Sequence, residues 1–95
     1  MNTYIVTYDI TDDDRRHDVY TYLRRWGDHL QFSVFSCQLS PTDHATMVAE
    51  LRQRIDCKKD QILIFDLGPS DGRGRKAVVS LGIGYTNPER HAIVL

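Results

Sequence analysis

The sequence predicts an α+β fold in which two helices pack on one face of an antiparallel sheet. Two observations predict it: several short segments alternate apolar and polar residues, and two segments between them carry apolar residues at helical spacing. The order of these segments is β-α-β(β)-α-β-β, which is typical of a ferredoxin-like βαββαβ sandwich with an additional C-terminal strand. With 95 residues the chain is expected to form a single domain, residues 1–95.

The first strand and the first helix are predicted before residue 28. Aromatic and β-branched residues alternate up to Asp9, as in a strand. Thr11 is then expected to cap a helix, with Asp14 as its partner three residues later. The helix is expected to end at Gly27 and to turn one apolar face inward, a face that comprises Val19, Leu23, Trp26 and Leu30.

The central segment is predicted to form strands and a second helix. Residues 30–39 are interpreted as one strand, or as two strands that meet at a tight turn or bulge near residues 33–36. Ser40 and Pro41 then begin a helix as its cap and first residue. This helix is expected to end near residues 57–59 and to bury Met47, Val48, Leu51 and Ile55.

The C-terminal part is predicted to contain three short strands. They are expected at residues 61–67, 78–81 and 92–95, and a loop rich in glycine and arginine fills residues 68–76. The helices cover only one face of the sheet, and an uncovered face of this kind implies a homodimer. The apolar terminus is expected to dock on a sheet edge, either its own or that of a partner.

Composition excludes several classes of protein. A net charge of −1 argues against tight nucleic-acid binding through overall charge, although arginine dominates the 12 basic residues and favours discrete phosphate contacts. No apolar run approaches the ~20 residues that span a bilayer, so we expect a cytoplasmic protein without a membrane segment. Cys37 and Cys57 are expected to be reduced and buried, and the histidine spacing is not typical of a zinc site.

Asp9 is the main candidate for chemistry because it lies at the carboxyl end of a strand. The alternative is that Asp9 caps the following turn, as aspartates in such positions often do. One carboxylate per chain is too few to enclose Mg²⁺, but two copies of Asp9 across a two-fold axis can share one ion. A chain of this size also leaves no room for an enclosed site, so an active site must be shallow or shared between subunits.

Several side chains are candidates for nucleic-acid contact. Arg15 and Arg16 lie near a helix N-terminus, where cations oppose the helix dipole, so they either pair with the preceding aspartates or bind an anion such as phosphate. The aspartates themselves are interpreted as helix-start residues rather than metal ligands. Tyr8 and Phe35 either stack on bases or pack the sheet, and packing is the favoured interpretation. Further candidate phosphate contacts, for which solvated surface charge is an equal alternative, are Arg24, Arg25, Arg73 and Arg75.

Two strings of the sequence resemble a known family. They are YDITDDDRR, which begins at Tyr8, and QFSVFSCQLSP, which ends at Pro41, with Gly27 between them. Together they are similar to the small CRISPR-associated endoribonuclease of the spacer-acquisition machinery. The resemblance covers essentially the whole chain, and its specificity lies in the combination of both motifs.

The resemblance implies a ferredoxin-like homodimer in which the last strand completes the partner's sheet. It implies that one Asp9 from each subunit is the catalytic carboxylate and a ligand of a shared Mg²⁺. It also links Tyr8, one of Arg15 and Arg16, and Phe35 to activity or substrate contact. For activity, the resemblance implies cleavage of single-stranded RNA or double-stranded DNA, although some members of the family show no nuclease activity. The shared role that it implies is a dimeric bridge between two integrase dimers, which holds a DNA duplex.

The hypothesis from the sequence is therefore a Mg²⁺-dependent endonuclease that acts in CRISPR adaptation, an antiviral defence. Three alternatives stay open: a non-catalytic DNA-binding scaffold of the same complex, a ligand-sensing regulatory module, and a ribonuclease toxin on a related dimeric fold. The glycine-rich loop of residues 68–76 departs from the family pattern, so duplex contacts in that loop are not carried over.

Overall fold

The computed structural model describes residues 1–83 and the backbone of Ile93–Val94. Its main sheet is antiparallel and has the order β2-β3-β1-β4. The strands are β1 (Asn2–Asp9), β2 (Gly27–Gln31), β3 (Val34–Leu39) and β4 (Gln61–Pro69). Helix α1 (Asp13–Arg24) connects β1 to β2, and helix α2 (Pro41–Arg54) connects β3 to β4. The predicted α+β arrangement is confirmed.

The core lies between the two helices and one face of the sheet. Alternate residues of β1 and β3 point into it because strand side chains alternate between faces. The buried apolar residues are Tyr4, Val6, Tyr8, Ile10, Val19, Tyr22, Leu23, Phe35, Cys37, Leu39, Met47 and Leu51. Of the predicted helix contacts, Trp26 and Ile55 pack at the margin of this core. The other face of β1, with Ile5 and Thr7, is not part of the core.

The helix starts were predicted with one error. Asp12, not Thr11, caps α1, and its carboxylate accepts a hydrogen bond from the Arg15 backbone N–H at 2.9 Å. The cap is one residue later than predicted, since the first helical residue is Asp13 and not Asp12 as the capping-box pattern suggests. The start of α2 is confirmed: the Ser40 hydroxyl accepts from the Asp43 N–H at 3.1 Å.

Gly27 belongs to a strand and is not the helix cap that the sequence suggested. Helix α1 ends at Arg24, and Gly27 begins β2 opposite Cys37. The predicted strand at residues 30–39 is therefore two strands, of which the first begins earlier and includes Leu30. They meet in a turn at residues 32–33, where Ser33 has a positive φ of 64°.

The remaining elements largely follow the expectation. The predicted loop contains a 3₁₀ turn (Arg73–Lys76), and the strand at residues 78–81 is reduced to β5 (Val79–Ser80). β5 pairs in parallel with β6 (Ile93–Val94), so the terminal strand docks on a strand of its own chain. Residues 92 and 95 of that predicted strand lie outside the described residues.

Helix α2 ends at Arg54, earlier than expected. None of the helices in the described part of the chain is long and apolar enough to cross a membrane. Cys37 is buried as expected, but Cys57 is exposed because it follows α2 in a surface turn. No disulfide joins these two residues.

Candidate functional site

Asp9 is the last residue of β1 and is exposed. It lies opposite Gln61, the first residue of β4, and shares a face with Ile5 and Thr7. Among residues 1–83 its carboxylate has no hydrogen bond or ion pair, and the capping role that was its alternative belongs to Asp12. The carboxylate is therefore available to a ligand or a second subunit.

In the part of the chain that the structure describes, no helix covers the face of the sheet that carries Asp9, and this face exposes large apolar side chains. Leu63 and Phe65 of β4 are 44% and 49% exposed on it. Ile5 and Val34 line a groove of about 630 Å³ on the same side, which continues along residues 78–83. Apolar surface of this extent is typical of an interaction site.

Arg15 is held by a buried carboxylate. Its Nε donates to Oδ2 of Asp60 at 2.7 Å and its Nη2 to Oδ1 at 3.1 Å, while the Asp60 side chain has no exposed area. This hydrogen bond lowers the pKa of Asp60 and raises that of Arg15. Because Asp60 directly precedes Gln61, the pair fixes the start of β4 beside Asp9. Arg15 is thus a positioning residue.

The sequence did not reveal Asp60, since its partner is 45 residues away. We expect Asp60→Asn to reduce stability at neutral pH and to flatten the loss of stability in acid. The pKa of Asp60 is lowered by folding, so the ion pair stabilises the protein above the ordinary carboxyl pKa and is lost as pH falls through the folded value.

Urea unfolding at several pH values between about 7 and 3 checks this expectation. Asp14→Asn is a matched control because it removes the same charge from an exposed residue, which precedes Arg15 in the first turn of α1. If Asp60→Asn and wild type lose stability in parallel on acidification, the ion pair does not have the assigned role.

Arg16 follows Arg15 in α1, and its guanidinium makes three hydrogen bonds within the subunit. Nη1 donates to the carbonyls of Ile10 and Thr11 at 3.1 and 3.3 Å, and Nη2 pairs with Asp13. Pairing of both arginines with aspartates of the helix start was one of the predicted alternatives, and it is confirmed: Arg16 pairs with Asp13, and Nη1 of Arg15 lies 3.9 Å from Oδ2 of Asp12. Arg16 also lines a cleft of about 340 Å³ beside Tyr8. Burial raises the pKa of the Tyr8 phenol.

Phe35 is completely buried, and its ring lies 4.9 Å from that of His29. The packing interpretation is therefore confirmed, and the expected contact of Phe35 with nucleic acid is corrected: the ring has no exposed surface for it. Tyr8 is also buried, and its ring packs 6.3 Å from that of Phe35.

Phe32 is an exposed aromatic residue that was not predicted from the sequence. It lies at the tip of the β2–β3 turn and is 81% exposed. The alternation of apolar and polar residues along a strand does not identify Phe32 as exposed, because Phe32 lies in the turn and not in a strand.

The other candidate arginines do not converge on Asp9. Arg24 donates to the Tyr20 hydroxyl at 3.1 Å, and Arg25 is exposed after the end of α1. Arg73 and Arg75 lie in the 3₁₀ turn that follows β4, whose last residue pairs with Asn2. They are therefore at the opposite end of β1 from Asp9.

The donor set at Asp9 suits a magnesium ion only in part. Within the described residues no three His, Cys, Asp or Glu side chains are grouped to hold a metal. Mg²⁺ usually keeps several waters and takes one or two carboxylates together with phosphate oxygens. An exposed carboxylate without a protein partner fits this mode when a second carboxylate or a phosphate approaches from outside the subunit.

The fold and the exposed strand-end carboxylate define a small ferredoxin-like domain in which the described residues leave one sheet face open. The chain belongs to the CRISPR-associated Cas2 family, whose model matches residues 1–73. It is 35% identical over 94 residues to a CRISPR-associated endoribonuclease Cas2 of Rhodospirillum rubrum, covering 99% of this chain and 91% of that protein.

Solved structures agree with this assignment. A crystal structure of Streptococcus pyogenes Cas2 has a TM-score of 0.72 and 30% identity, covering 84% of this chain and 99% of the other. A chain of a partial Cas6-RT-Cas1–Cas2 complex has the same fold, with a TM-score of 0.66 and 22% identity, covering 74% of this chain and 82% of that one.

Proposed function

We propose that the protein is a homodimeric, Mg²⁺-dependent endonuclease of CRISPR adaptation that cleaves single-stranded RNA, double-stranded DNA or both. The observation that carries the proposal is Asp9, an exposed carboxylate without a partner in the described part of the chain, at the end of a central strand. Relatives named as Cas2 endoribonucleases support nuclease activity in this chain.

The dimer follows from the open face of the sheet. Leu63 and Phe65 are half exposed there, beside the groove lined by Ile5. A second copy that covers this surface buries apolar area on both subunits, because a two-fold interface uses the same patch twice. Asp9 lies at the edge of the same face, and a two-fold axis that passes near this edge would bring the two carboxylates toward one another.

Each residue of the proposed site has a separate task. The paired Asp9 carboxylates would hold Mg²⁺, which neutralises phosphate charge and makes a bound water more acidic. Arg16 keeps N–H groups that can donate to a phosphate, since its three hydrogen bonds use at most three of five. Arg15 keeps the start of β4 in place through Asp60.

The proposed partners are nucleic acid and the CRISPR integrase. Family membership supports this role, in which the dimer bridges integrase dimers during the acquisition of new spacers. Arg24 and Arg25 are exposed on one helix end and provide discrete contacts for a duplex backbone. Such contacts weaken with salt: the logarithm of the binding constant falls with the logarithm of the salt concentration, with a slope of about −0.9 for each phosphate neutralised.

Cleavage assays with RNA and duplex DNA test the proposal directly. We expect cleavage that requires Mg²⁺, stops when EDTA is added and returns with excess Mg²⁺. The dimer mass is measured by light scattering, and co-purification with the integrase tests the complex. A dimer that binds duplex DNA in a salt-dependent manner without cleaving either substrate indicates the non-catalytic scaffold instead.

A further inference from the structure

The cleft beside Arg16 carries aromatic and imidazole side chains to which the proposed nuclease site assigns no task. It lies between α1 and the β2–β3 turn, on the helix side of the sheet. Its lining combines aromatic rings and polar groups, among them Phe32, Tyr20, His17, His29 and Arg16. We propose that this cleft binds one unpaired nucleotide, with its base against Phe32 and its phosphate on Arg16. The proposal rests on the proposed function in that it takes nucleic acid as the ligand.

Phe32 is presented to solvent by a fixed turn. It is 81% exposed, and the next residue, Ser33, has a positive φ. The Ser33 carbonyl accepts a hydrogen bond from the Tyr8 backbone N–H at 3.1 Å, which ties the turn to the central strand. An exposed apolar ring on a fixed turn can serve as a stacking platform, because every base has a flat π-face.

The wall of the cleft consists of rings that carry polar atoms. Tyr20 meets His29 edge-on with centroids 5.2 Å apart, and His17 lies 6.5 Å from Tyr20 on the same helix. Imidazole nitrogens and a phenol hydroxyl donate and accept hydrogen bonds. Such groups suit the polar edge of a base better than they suit an apolar protein segment.

Arg16 provides the cation for the phosphate. Its partner Asp13 is 87% exposed in its side chain, and ion pairs of that exposure are weak. A phosphate can therefore replace Asp13 on the guanidinium. Because Asp13 keeps its own negative charge nearby, we expect a modest affinity for a free nucleotide.

The size of the cleft limits the ligand to one nucleotide unit. Its volume of about 340 Å³ is at the lower end of the roughly 300–1,000 Å³ typical of small-molecule sites. A duplex does not enter such a cleft, whereas an unpaired base at the end or in a gap of a strand does. The cleft thus gives the protein a way to distinguish strand ends or single strands from continuous duplex.

Binding of adenosine 5′-monophosphate in EDTA tests the proposal without any contribution from metal chemistry. We expect NMR shift changes in the cleft residues, and about tenfold weaker binding after Phe32→Ala or Phe32→Leu because stacking is lost. Phe32→Tyr should retain binding. Arg16→Gln should weaken it too, whereas Arg52→Gln, an equal charge change at an exposed position of α2, should not.

Two results would overturn the proposal. One is adenosine 5′-monophosphate binding that is the same in wild type and Phe32→Ala. The other is a change in the mass of the dimer after Phe32→Ala, which assigns the exposed ring to a subunit interface. The binding assay needs no cleavage, so it separates this proposal from the proposed function. A protein that binds the nucleotide through Phe32 but lacks nuclease activity contradicts the proposed function and supports the assignment of the cleft as a nucleotide site.

Discussion

Asp9→Asn is expected to lower Mg²⁺-dependent cleavage by more than about 100-fold, because even groups that only support a metal ligand contribute roughly 10–100-fold. Asparagine keeps the size of the side chain and removes its charge. Asp9 is exposed and makes no hydrogen bond with the described part of the chain, so the fold does not depend on it. Stability should change by less than about 0.5 kcal/mol, and initial cleavage rates measure the effect.

Asp14→Asn is the control for this substitution. It removes the same charge from an exposed residue in the first turn of α1, five positions away, and should leave the cleavage rate near that of wild type. Wild-type rates from a dimeric Asp9→Asn protein would remove Asp9 from the mechanism.

Mixing subunits tests whether the two Asp9 carboxylates act together. If wild-type and Asp9→Asn subunits exchange freely in equal amounts, about one quarter of the dimers contain two wild-type subunits. A shared metal site then leaves about one quarter of the wild-type activity, whereas two independent sites leave about one half. The assay requires that exchange be complete, which a tag on one subunit shows.

The sequence predicted the order of the elements because period-two and helical patterns are local properties. The strand that ends at Asp9 and the Ser40 cap were both found this way. The pair of Arg15 and Asp60 was not found, since nothing local links residues so far apart. Only the fold distinguishes the two candidate arginines: Arg15 pairs with the buried Asp60, and Arg16 lines the cleft.

Aromatic residues show the same limit. Phe35 was selected from the sequence and from the family pattern, yet it is a core residue. Phe32 lies outside the core because the turn falls at residues 32–33 rather than further along the strand. At the other end of the same strand pair, Gly27 allows β2 to lie close to β3 opposite Cys37.

Gly27→Ala is expected to destabilise the protein by about 3 kcal/mol or more, at the upper end of the range for overpacked positions. A methyl group at Gly27 would lie 2.1 Å from the Ser36 carbonyl oxygen and 2.9 Å from Cys37 Cα. Both are backbone atoms of β3, so no side-chain rotation relieves the clash. The strands must separate instead.

The damage should concentrate in β2, because among the described residues β2 is an edge strand whose partner in the main sheet is β3. Amide exchange in β2 and in the turn after it should accelerate, and Tm should fall by more than about 10 °C in a domain of this size. Gln31→Ala provides the comparison, since Gln31 is an exposed residue of the same strand and its substitution introduces no clash. Equal Tm values for Gly27→Ala and wild type would mean that the two strands do not need this close approach.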